Sequence, residues 1–323
     1  MKPPLAAIRA ASASRRTVLP LPASREGTDT MECFNIVVVR SGESIHHDAY
    51  ANAAEQLCSG FRLLGYPARI DQNTLVWDAT NIIVGTHHLE ADLADRLPAN
   101  TIIYNVEMVV PGSPYIREMI PFVRRFETWD YSDANIANWR RLGVSDRVRL
   151  LKPGYLAQNT RIDPTTPTDI DALFYGTVNW RRDSIFADIA RFGVRVHVAS
   201  GVYGAERLAL LARSKLVLNV HSREDSVLEL GRICDALANR RALVTDAQDY
   251  DGQNADLLAV MFCGKPSELG GLCRALLDDE PRRHALAERA LAAYAKRDFR
   301  KYLYDLLAQR SASGAPSPPA TVG

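Results

Sequence analysis

The stretch that decides the fold is KLVLNVHSREDSVLELGRICDAL, residues 215–237. Its first part is an apolar run of strand length, and its last part repeats apolar residues at helical spacing. Between them, Ser226 followed by Glu229 has the capping-box spacing, which predicts that a helix starts at Ser226. In open α/β sheets such strand-to-helix loops bind ligands, and a helix amino terminus favours anions such as phosphate.

The same alternation of strands and helices extends outward in both directions from this stretch. Predicted strands lie at 33–40, 68–70, 81–88 with its loop, 101–107, 127–132, 148–151, 172–176, 194–199, 215–221, 241–246 and 257–262. Predicted helices lie at 49–64, 91–97, 115–125, 134–142, 183–192, 204–213, 226–237, 267–277, 281–295 and 299–307. This alternation predicts an α/β fold of two Rossmann-like, doubly wound parallel-sheet domains facing a cleft.

The alternation of strands and helices is interrupted at residues 156–168. This segment contains Pro, Thr and Asn and has no periodic apolar residues, so we predict an interdomain linker there. It separates domains at 31–155 and 169–295. A helix at 296–310 follows, and its return to the first domain is left open. Residues 1–30 are basic and poor in acids, as in a transit peptide, but a disordered extension or an early start codon is favoured. The tail, 311–323, is predicted to be disordered.

Composition excludes several classes of function. With 39 basic and 38 acidic residues, the formal charge is +1, which gives no general argument for nucleic acid or an anionic membrane. Five scattered cysteines without metal-ligand spacing predict neither a disulfide framework nor a zinc site, and favour the cytoplasm. No apolar run is long enough to span a bilayer. Fingerprints of dinucleotide oxidoreductases, P-loop NTPases and α/β-hydrolases are absent from the sequence.

Several short motifs resemble those of glycosyltransferases of the GT-B architecture. In the carboxyl half these are Leu173-Phe-Tyr-Gly176 with Arg181-Arg182, Asn219-Val-His221, Glu229-Leu-Gly-Arg232 and Ala242-Leu-Val-Thr-Asp246. In the amino half, Tyr104-Asn-Val-Glu107 and Trp129-Asp-Tyr-Ser132 resemble the spore-maturation-protein-like, group-1-type enzymes of bacteria and viruses. The resemblance implies transfer of a sugar from a nucleotide-diphosphate sugar, with the donor on the carboxyl-terminal domain and the acceptor on the amino-terminal one.

The sequence departs from that family at two places. Many retaining members carry Glu-x7-Glu, and the first of these positions is His221 here. A Gly-x-Pro turn common after the helix is replaced by Asn239-Arg240-Arg241, in which Asn tolerates a positive φ. These departures keep open a non-catalytic nucleotide-sugar-binding protein of the same fold. A nucleotide-sugar epimerase is a third hypothesis.

The donor residues are each open to a second interpretation. The resemblance assigns ribose binding to Glu229, which is also the capping partner of Ser226. Arg181 and Arg182 suit phosphate oxygens, although two exposed arginines on a first helical turn are the alternative. His221 is either a satisfied core histidine or a donor facing the site. Gly176 belongs to the same predicted site.

We predict that transfer needs neither a metal nor a cofactor beyond the sugar donor. Asp169-Ile-Asp171 matches the Asp-x-Asp pattern of metal-binding sites. It lies at the junction of the linker and the next strand, so these carboxylates are predicted to be solvated. The departing diphosphate would instead be stabilised by cations and a helix amino terminus.

An acceptor that loses a proton during attack is helped by a general base. The candidates are His46 and His47 after the first strand, then His87 and His88, then Glu107. Ser41-Gly42 could bring backbone N–H groups close to a phosphate or sugar.

Overall fold

A computed structural model of the chain describes residues 32–40, 49–110, 112–144, 147–223, 228–246 and 254–312. The strands are β1 (Phe34–Val38), β2 (Ala68–Gln72), β3 (Thr80–Val84), β4 (Ile102–Asn105), β5 (Glu127–Asp130), β6 (Val148–Leu150), β7 (Ile170–Tyr175), β8 (Val196–Ala199), β9 (Ser214–Asn219), β10 (Ala242–Thr245) and β11 (Phe262–Cys263). The helices are α1 (Ala51–Leu63), α2 (Pro114–Arg125), α3 (Asp133–Arg141), α4 (Trp180–Ala190), α5 (Gly204–Arg213), α6 (Leu230–Ala238), α7 (Ala255–Leu258), α8 (Leu269–Asp278), α9 (Glu280–Ala295) and α10 (Phe299–Ala312).

The strands form two sheets, which confirms the predicted α/β class. The first has the order β2-β1-β3-β4-β5-β6 and the second β11-β10-β9-β7-β8. Parallel pairing joins β1 to β2 and β3, and β7 to β8 and β9. In each sheet the chain therefore steps from its first strand to one side and then returns to the other side. Such a reversal of strand order is a topological switch point, where open α/β sheets bind ligands.

Contacts divide the chain into two compact units. Unit 1 comprises the described part of Met1–Trp129 together with Asn138–Arg149. Unit 2 comprises Asp130–Ala137 together with the described part of Leu150–Gly323. Within unit 2, Thr160 donates a hydrogen bond to the carbonyl oxygen of Ala238 at 2.9 Å, so the segment predicted as a linker is tied to this unit.

The buried strands of unit 2 explain why its sheet is covered on both faces. Leu173 and Val217 belong to one apolar core, whereas their neighbours Phe174 and Leu218 belong to the other. Successive side chains of a strand point to opposite faces, so a continuous apolar run fills both cores. Within the described residues, no helix combines the length and the hydrophobicity required to cross a bilayer.

Two local predictions are wrong. Residues 257–262 were expected to form a strand, but α7 covers Ala255–Leu258 and only Phe262–Cys263 pairs as a strand. A short apolar run does not distinguish the two states. In the turn after α6 the positive φ belongs to Arg240, at 54°, whereas Asn239 has φ −108°. Asn239 instead stabilises the turn with its side chain, which accepts hydrogen bonds from the backbone N–H groups of Arg161 and Ile162 at 2.8 and 3.1 Å.

Candidate functional site

The switch point of unit 2 lies between β7 and β9, and residues that were predicted to bind the donor follow both of these strands. Gly176 follows β7, His221 follows β9 and Asp246 follows β10. Because the strands are parallel, their carboxyl ends lie at one edge of the sheet. Arg182 and Glu229 are brought to the same edge by the helices α4 and α6.

Arg182 is buried, so the alternative of an exposed arginine is wrong for this residue. The amino terminus of α4 is capped by Asn179, whose side chain accepts a hydrogen bond from the backbone N–H of Arg182 at 3.0 Å. The guanidinium then donates to the carbonyl oxygens of Val220 and Thr177 at 2.8 and 2.7 Å. Its Nη2 reaches Glu229 Oε1 at 2.5 Å. The side chain is therefore held in one position at the strand ends.

Glu229 does not form the predicted capping box. Helix α6 begins at Leu230, so Glu229 is the N-cap residue rather than the third residue of the helix, and no side-chain cap hydrogen bond is present. Its two carboxylate oxygens instead accept hydrogen bonds from Arg182 and Arg232. Burial alone would raise the pKa of Glu229, but the charges of Arg232 and Arg182 lower it below its ordinary value. Ser226 lies outside the described residues.

Arg232 is a central residue of this cluster that the sequence analysis did not select. Its Nη1 donates to Glu229 Oε2 at 2.6 Å and to Asn219 Oδ1 at 2.7 Å. Its Nε donates to the carbonyl oxygen of Tyr175 at 3.0 Å. The guanidinium carbon lies 4.7 Å from the ring centroid of Phe174, a cation–π distance. The i,i+3 spacing from Glu229 was the available sequence signal.

Gly176 is required by this arrangement. Its φ is +138°, in the region that L side chains rarely adopt. A Cβ at this position would lie 2.9 Å from Arg232 Nη2, and Arg232 is already held by three acceptors. Any larger residue would therefore displace the guanidinium.

His221 is a buried histidine with one nitrogen bound and the other available. Its Nδ1 lies 3.2 Å from Asp246 Oδ1, and its backbone N–H donates to the same oxygen at 2.9 Å. Its Nε2 is buried and makes no hydrogen bond to any residue in the described part of the chain. Arg181 pairs with the other oxygen of Asp246 at 2.7 Å and donates to the His221 carbonyl oxygen at 2.7 Å. Burial would raise the pKa of Asp246, but the bonds from His221 and Arg181 lower it below its ordinary value.

These contacts combine into one electropositive cluster. It contains three guanidinium groups and two ionised carboxylates, which leaves one positive charge; the members are Arg181, Arg182, Arg232, Glu229 and Asp246. The amino terminus of α6 lies directly after Glu229 and adds the positive end of the helix dipole. The arrangement suits an anion such as a diphosphate.

A second polar cluster occupies the switch point of unit 1. The Tyr50 hydroxyl donates to Glu107 Oε1 at 3.0 Å and lies 3.1 Å from His87 Nε2. The ring of His88 is 4.1 Å from that of His87. Burial and the neighbouring His88 lower the pKa of His87 to about 3. Burial raises the pKa of Glu107 above its ordinary value, and the hydrogen bond from Tyr50 opposes this. The structure thus brings together three of the predicted base candidates around Tyr50, which the sequence analysis did not select.

The remaining predicted residues, Ser41, Gly42, His46 and His47, lie outside the described residues. Among the residues that are described, no group of three or more His, Cys, Asp or Glu side chains is placed to hold a metal ion.

Comparison with known proteins relates the part of the chain that contains this site to one family model. Residues 160–308 match the family model described as "Glycosyl transferase-like". No curated protein matches the sequence. Among solved structures, HepE of Anabaena, in complex with UDP and glucose, is 12% identical with a TM-score of 0.59, and the match covers 88% of this chain and 100% of that chain.

Two further solved structures share the fold. AviGT4, a glycosyltransferase involved in avilamycin A biosynthesis, is 14% identical over 88% of this chain and 99% of its own, with a TM-score of 0.57. WaaG, a glycosyltransferase involved in lipopolysaccharide biosynthesis, is 15% identical over 87% and 98%, with a TM-score of 0.52. The predicted fold is confirmed, because the chain has the GT-B fold, and residues 160–308 match a glycosyl transferase-like family model.

Proposed function

We propose that the chain transfers a sugar from a nucleotide-diphosphate sugar to an acceptor hydroxyl, and that unit 2 binds the donor. The observation that carries this proposal is the buried Arg182–Glu229–Arg232 cluster at the switch point of the unit 2 sheet. A transferase must stabilise the negative charge that develops on the departing diphosphate. The surplus positive charge of the cluster and the amino terminus of α6 supply that stabilisation without a metal or a cofactor.

Glu229 takes the role of ribose ligand in this proposal. Two arginines keep its carboxylate ionised, and its side chain remains one-fifth exposed. Each carboxylate oxygen has a second lone pair, so it can accept a hydrogen bond from a ribose hydroxyl while still bound by an arginine. His221 presents its unbonded Nε2 to the donor, and Asp246 fixes the ring.

Unit 1 supplies the acceptor site, with the base among the clustered His87, His88 and Glu107 or the histidines His46 and His47. All five cysteines are free thiols, which supports a reducing compartment, and we place the reaction in the cytoplasm.

Calorimetry with UDP, UDP-sugars and GDP-sugars tests the donor site. We expect the wild-type chain to bind one nucleotide series and R182A to lose that binding. The matched control is R213A, which removes an arginine on the exposed side of the same unit, paired with Asp169. A folded protein that binds neither nucleotide series contradicts the proposal.

Product analysis separates transfer from its rivals. Incubation of the donor alone should leave the sugar configuration unchanged, since an epimerised sugar would indicate the epimerase. Turnover with an acceptor should persist in EDTA, whereas its loss would contradict metal independence. Nucleotide binding without turnover on any acceptor would indicate the binding protein.

A further inference from the structure

The ring of His221 lies at the carboxyl ends of the unit 2 strands with one nitrogen unbonded. The residue comes two positions after the end of β9, and its side chain is only 5% exposed. Its Nε2 is buried and makes no hydrogen bond within the described part of the chain. Buried polar atoms without a partner are destabilising and rare in native proteins. At the switch point of an open α/β sheet, a bound ligand is the partner to expect.

Asp246 determines which nitrogen of His221 carries the proton. Burial would raise the pKa of Asp246, but its bonds with His221 and Arg181 outweigh burial, so the carboxylate is ionised. An ionised carboxylate can only accept hydrogen bonds. At the 3.2 Å contact between His221 Nδ1 and Asp246 Oδ1, the nitrogen must therefore be the donor. In the neutral ring the proton is then on Nδ1, and Nε2 carries a lone pair that accepts a hydrogen bond.

The negative charge of Asp246 is balanced without a proton on Nε2. Its second oxygen, Oδ2, lies 2.7 Å from Arg181 Nη2. The remaining charged groups of the cluster also pair with one another, and its arginines outnumber its carboxylates by one. A protonated His221 would add a second surplus positive charge beside Arg181. We therefore expect the neutral ring, in which Nε2 is an acceptor.

The order of the groups along the site matches the order of the groups in a nucleotide sugar. Arg182 Nη2 reaches Glu229 Oε1 at 2.5 Å. Arg182 Nε donates to the carbonyl oxygen of Val220, the residue before His221, at 2.8 Å. The guanidinium thus extends from Glu229 to the strand end that carries His221. With Glu229 on the ribose and Arg182 beside the diphosphate, His221 comes next, as the sugar does in the donor.

We propose that His221 binds the transferred sugar: its Nε2 accepts a hydrogen bond from a hydroxyl of that sugar, and Asp246 is the positioning residue that keeps the ring proton on Nδ1. This rests on the proposed function and adds the group of the donor that His221 recognises. An ionised phosphate oxygen has no hydrogen for the Nε2 lone pair, whereas a hydroxyl has one. Loss of Nε2 should therefore weaken the binding of the nucleotide sugar and not that of the nucleoside diphosphate alone.

Calorimetry of two ligands against two variants tests this inference. The probes are whichever of UDP-glucose, UDP-N-acetylglucosamine and GDP-mannose the wild-type protein binds most tightly, and the corresponding nucleoside diphosphate. We expect H221F to lower the affinity for the nucleotide sugar about tenfold, which corresponds to one hydrogen bond, and to leave the affinity for the diphosphate unchanged. The matched control is H197F, the same change at an exposed position of β8, which should bind both ligands like the wild type.

Nitrogen-15 NMR of the imidazole rings tests the tautomer in the wild-type protein itself. The chain has seven histidines, and the His221 resonances are assigned by their loss in H221F, or in H221N if the first variant does not fold. We expect Nδ1 to be protonated and Nε2 unprotonated. The Nε2 resonance should move upfield when the nucleotide sugar is added, but not with the diphosphate. In D246N both tautomers should be populated, a change that a merely structural role of Asp246 would not produce.

Three results would overturn the inference. Equal losses of affinity for both ligands in H221F would assign Nε2 to the phosphate or the ribose, and unchanged affinity for both would make His221 a core residue. A wild-type ring with its proton on Nε2 would exclude the hydroxyl contact. Failure of the proposed function looks different, because the wild-type protein would then bind neither ligand, whatever the tautomer of His221.

Discussion

The two switch points of this chain have the same topology and opposite chemistry. In both sheets the first strand lies between the second and the third, as in β2-β1-β3 and β8-β7-β9. Unit 2 fills this position with arginines and ionised carboxylates, whereas unit 1 fills it with a neutral histidine, a tyrosine and a carboxyl of raised pKa. Strand order thus determines where a ligand binds, and the residues that follow the strands determine whether the position suits an anion or a proton transfer.

The largest effect should come from removing the carboxylate that pairs the arginines of unit 2. E229A leaves Arg182 and Arg232 buried without their shared partner, and breaking such a buried pair costs about 3–5 kcal/mol. Urea denaturation measures the loss, and calorimetry should show that nucleotide binding disappears. A variant of wild-type stability would mean that solvent already screens the cluster.

In unit 1 a large change in stability is expected at acidic pH, because of His87. The folded pKa of His87, about 3, is below the value of about 6.5 expected in the unfolded chain, so the unfolded state binds the extra proton between these values. Stability should therefore fall as the pH falls from 6.5, by about 2 kcal/mol at pH 5, since each unit is worth about 1.4 kcal/mol.

Tryptophan fluorescence can follow this loss, because the fully buried Trp129 and Trp139 both lie in unit 1. H87Q should flatten the dependence. Glu107 acts in the opposite direction, because its raised pKa makes the folded state bind the extra proton, so E107Q should steepen it. In unit 2 the carboxyls of lowered pKa should lose their contribution only below about pH 4.5. An H87Q profile that is identical to wild type would contradict this difference between the units.

A smaller effect should follow from G176A. Alanine at position 176 would have to adopt a positive φ, and its Cβ would lie against Arg232 Nη2. A strained backbone conformation of this kind costs about 1–3 kcal/mol. G193A is the matched control, because Gly193 also has a positive φ, of 71°, but an added Cβ would have open space around it. Thermal unfolding of G193A gives the loss of stability that comes from backbone strain alone. Any further loss of UDP affinity in G176A, beyond that in G193A, measures the effect of displacing Arg232. Equal affinity in both variants would show that Arg232 moves aside freely.

The smallest effect should come from D169A. Asp169 and its partner Arg213 have side chains 62% and 51% exposed, and solvent screens such a surface pair so that it adds little to stability. Neither stability nor the response of turnover to EDTA should change measurably. If turnover required a metal and D169A lost that requirement, Asp169 would be a metal ligand, contrary to this prediction.

The sequence predicted those features that depend on local patterns. Helix α1 ends at Leu63, one residue before its predicted end, with Gly65 at φ 86° in the turn that follows, and the apolar runs form buried strands. A helix was predicted to start directly after Arg182, at residue 183, but the burial of Arg182 depends on acceptors at Val220, just after β9, and at Glu229, which local spacing does not reveal.

The positions that the sequence did not predict depend on long-range contacts. The capping box failed because two arginines compete for the Glu229 carboxylate, and α6 begins one residue after it. Arg232 was overlooked because its partners include Tyr175, 57 residues away. Tyr50 bridges groups 37 and 57 residues along the chain, which only the packing of β3 and β4 beside β1 brings together.

The division of α3 between the units determines how the chain can be dissected. Tyr131, just before that helix, packs in the apolar core of unit 2, and the backbone N–H of Leu151 bonds to the carbonyl oxygen of Asp130. A truncated fragment that starts at residue 156 would lack this aromatic ring and expose the surface beneath it. Fragments for crystallisation or domain exchange should therefore retain Asp130–Ala137 with the second half of the chain.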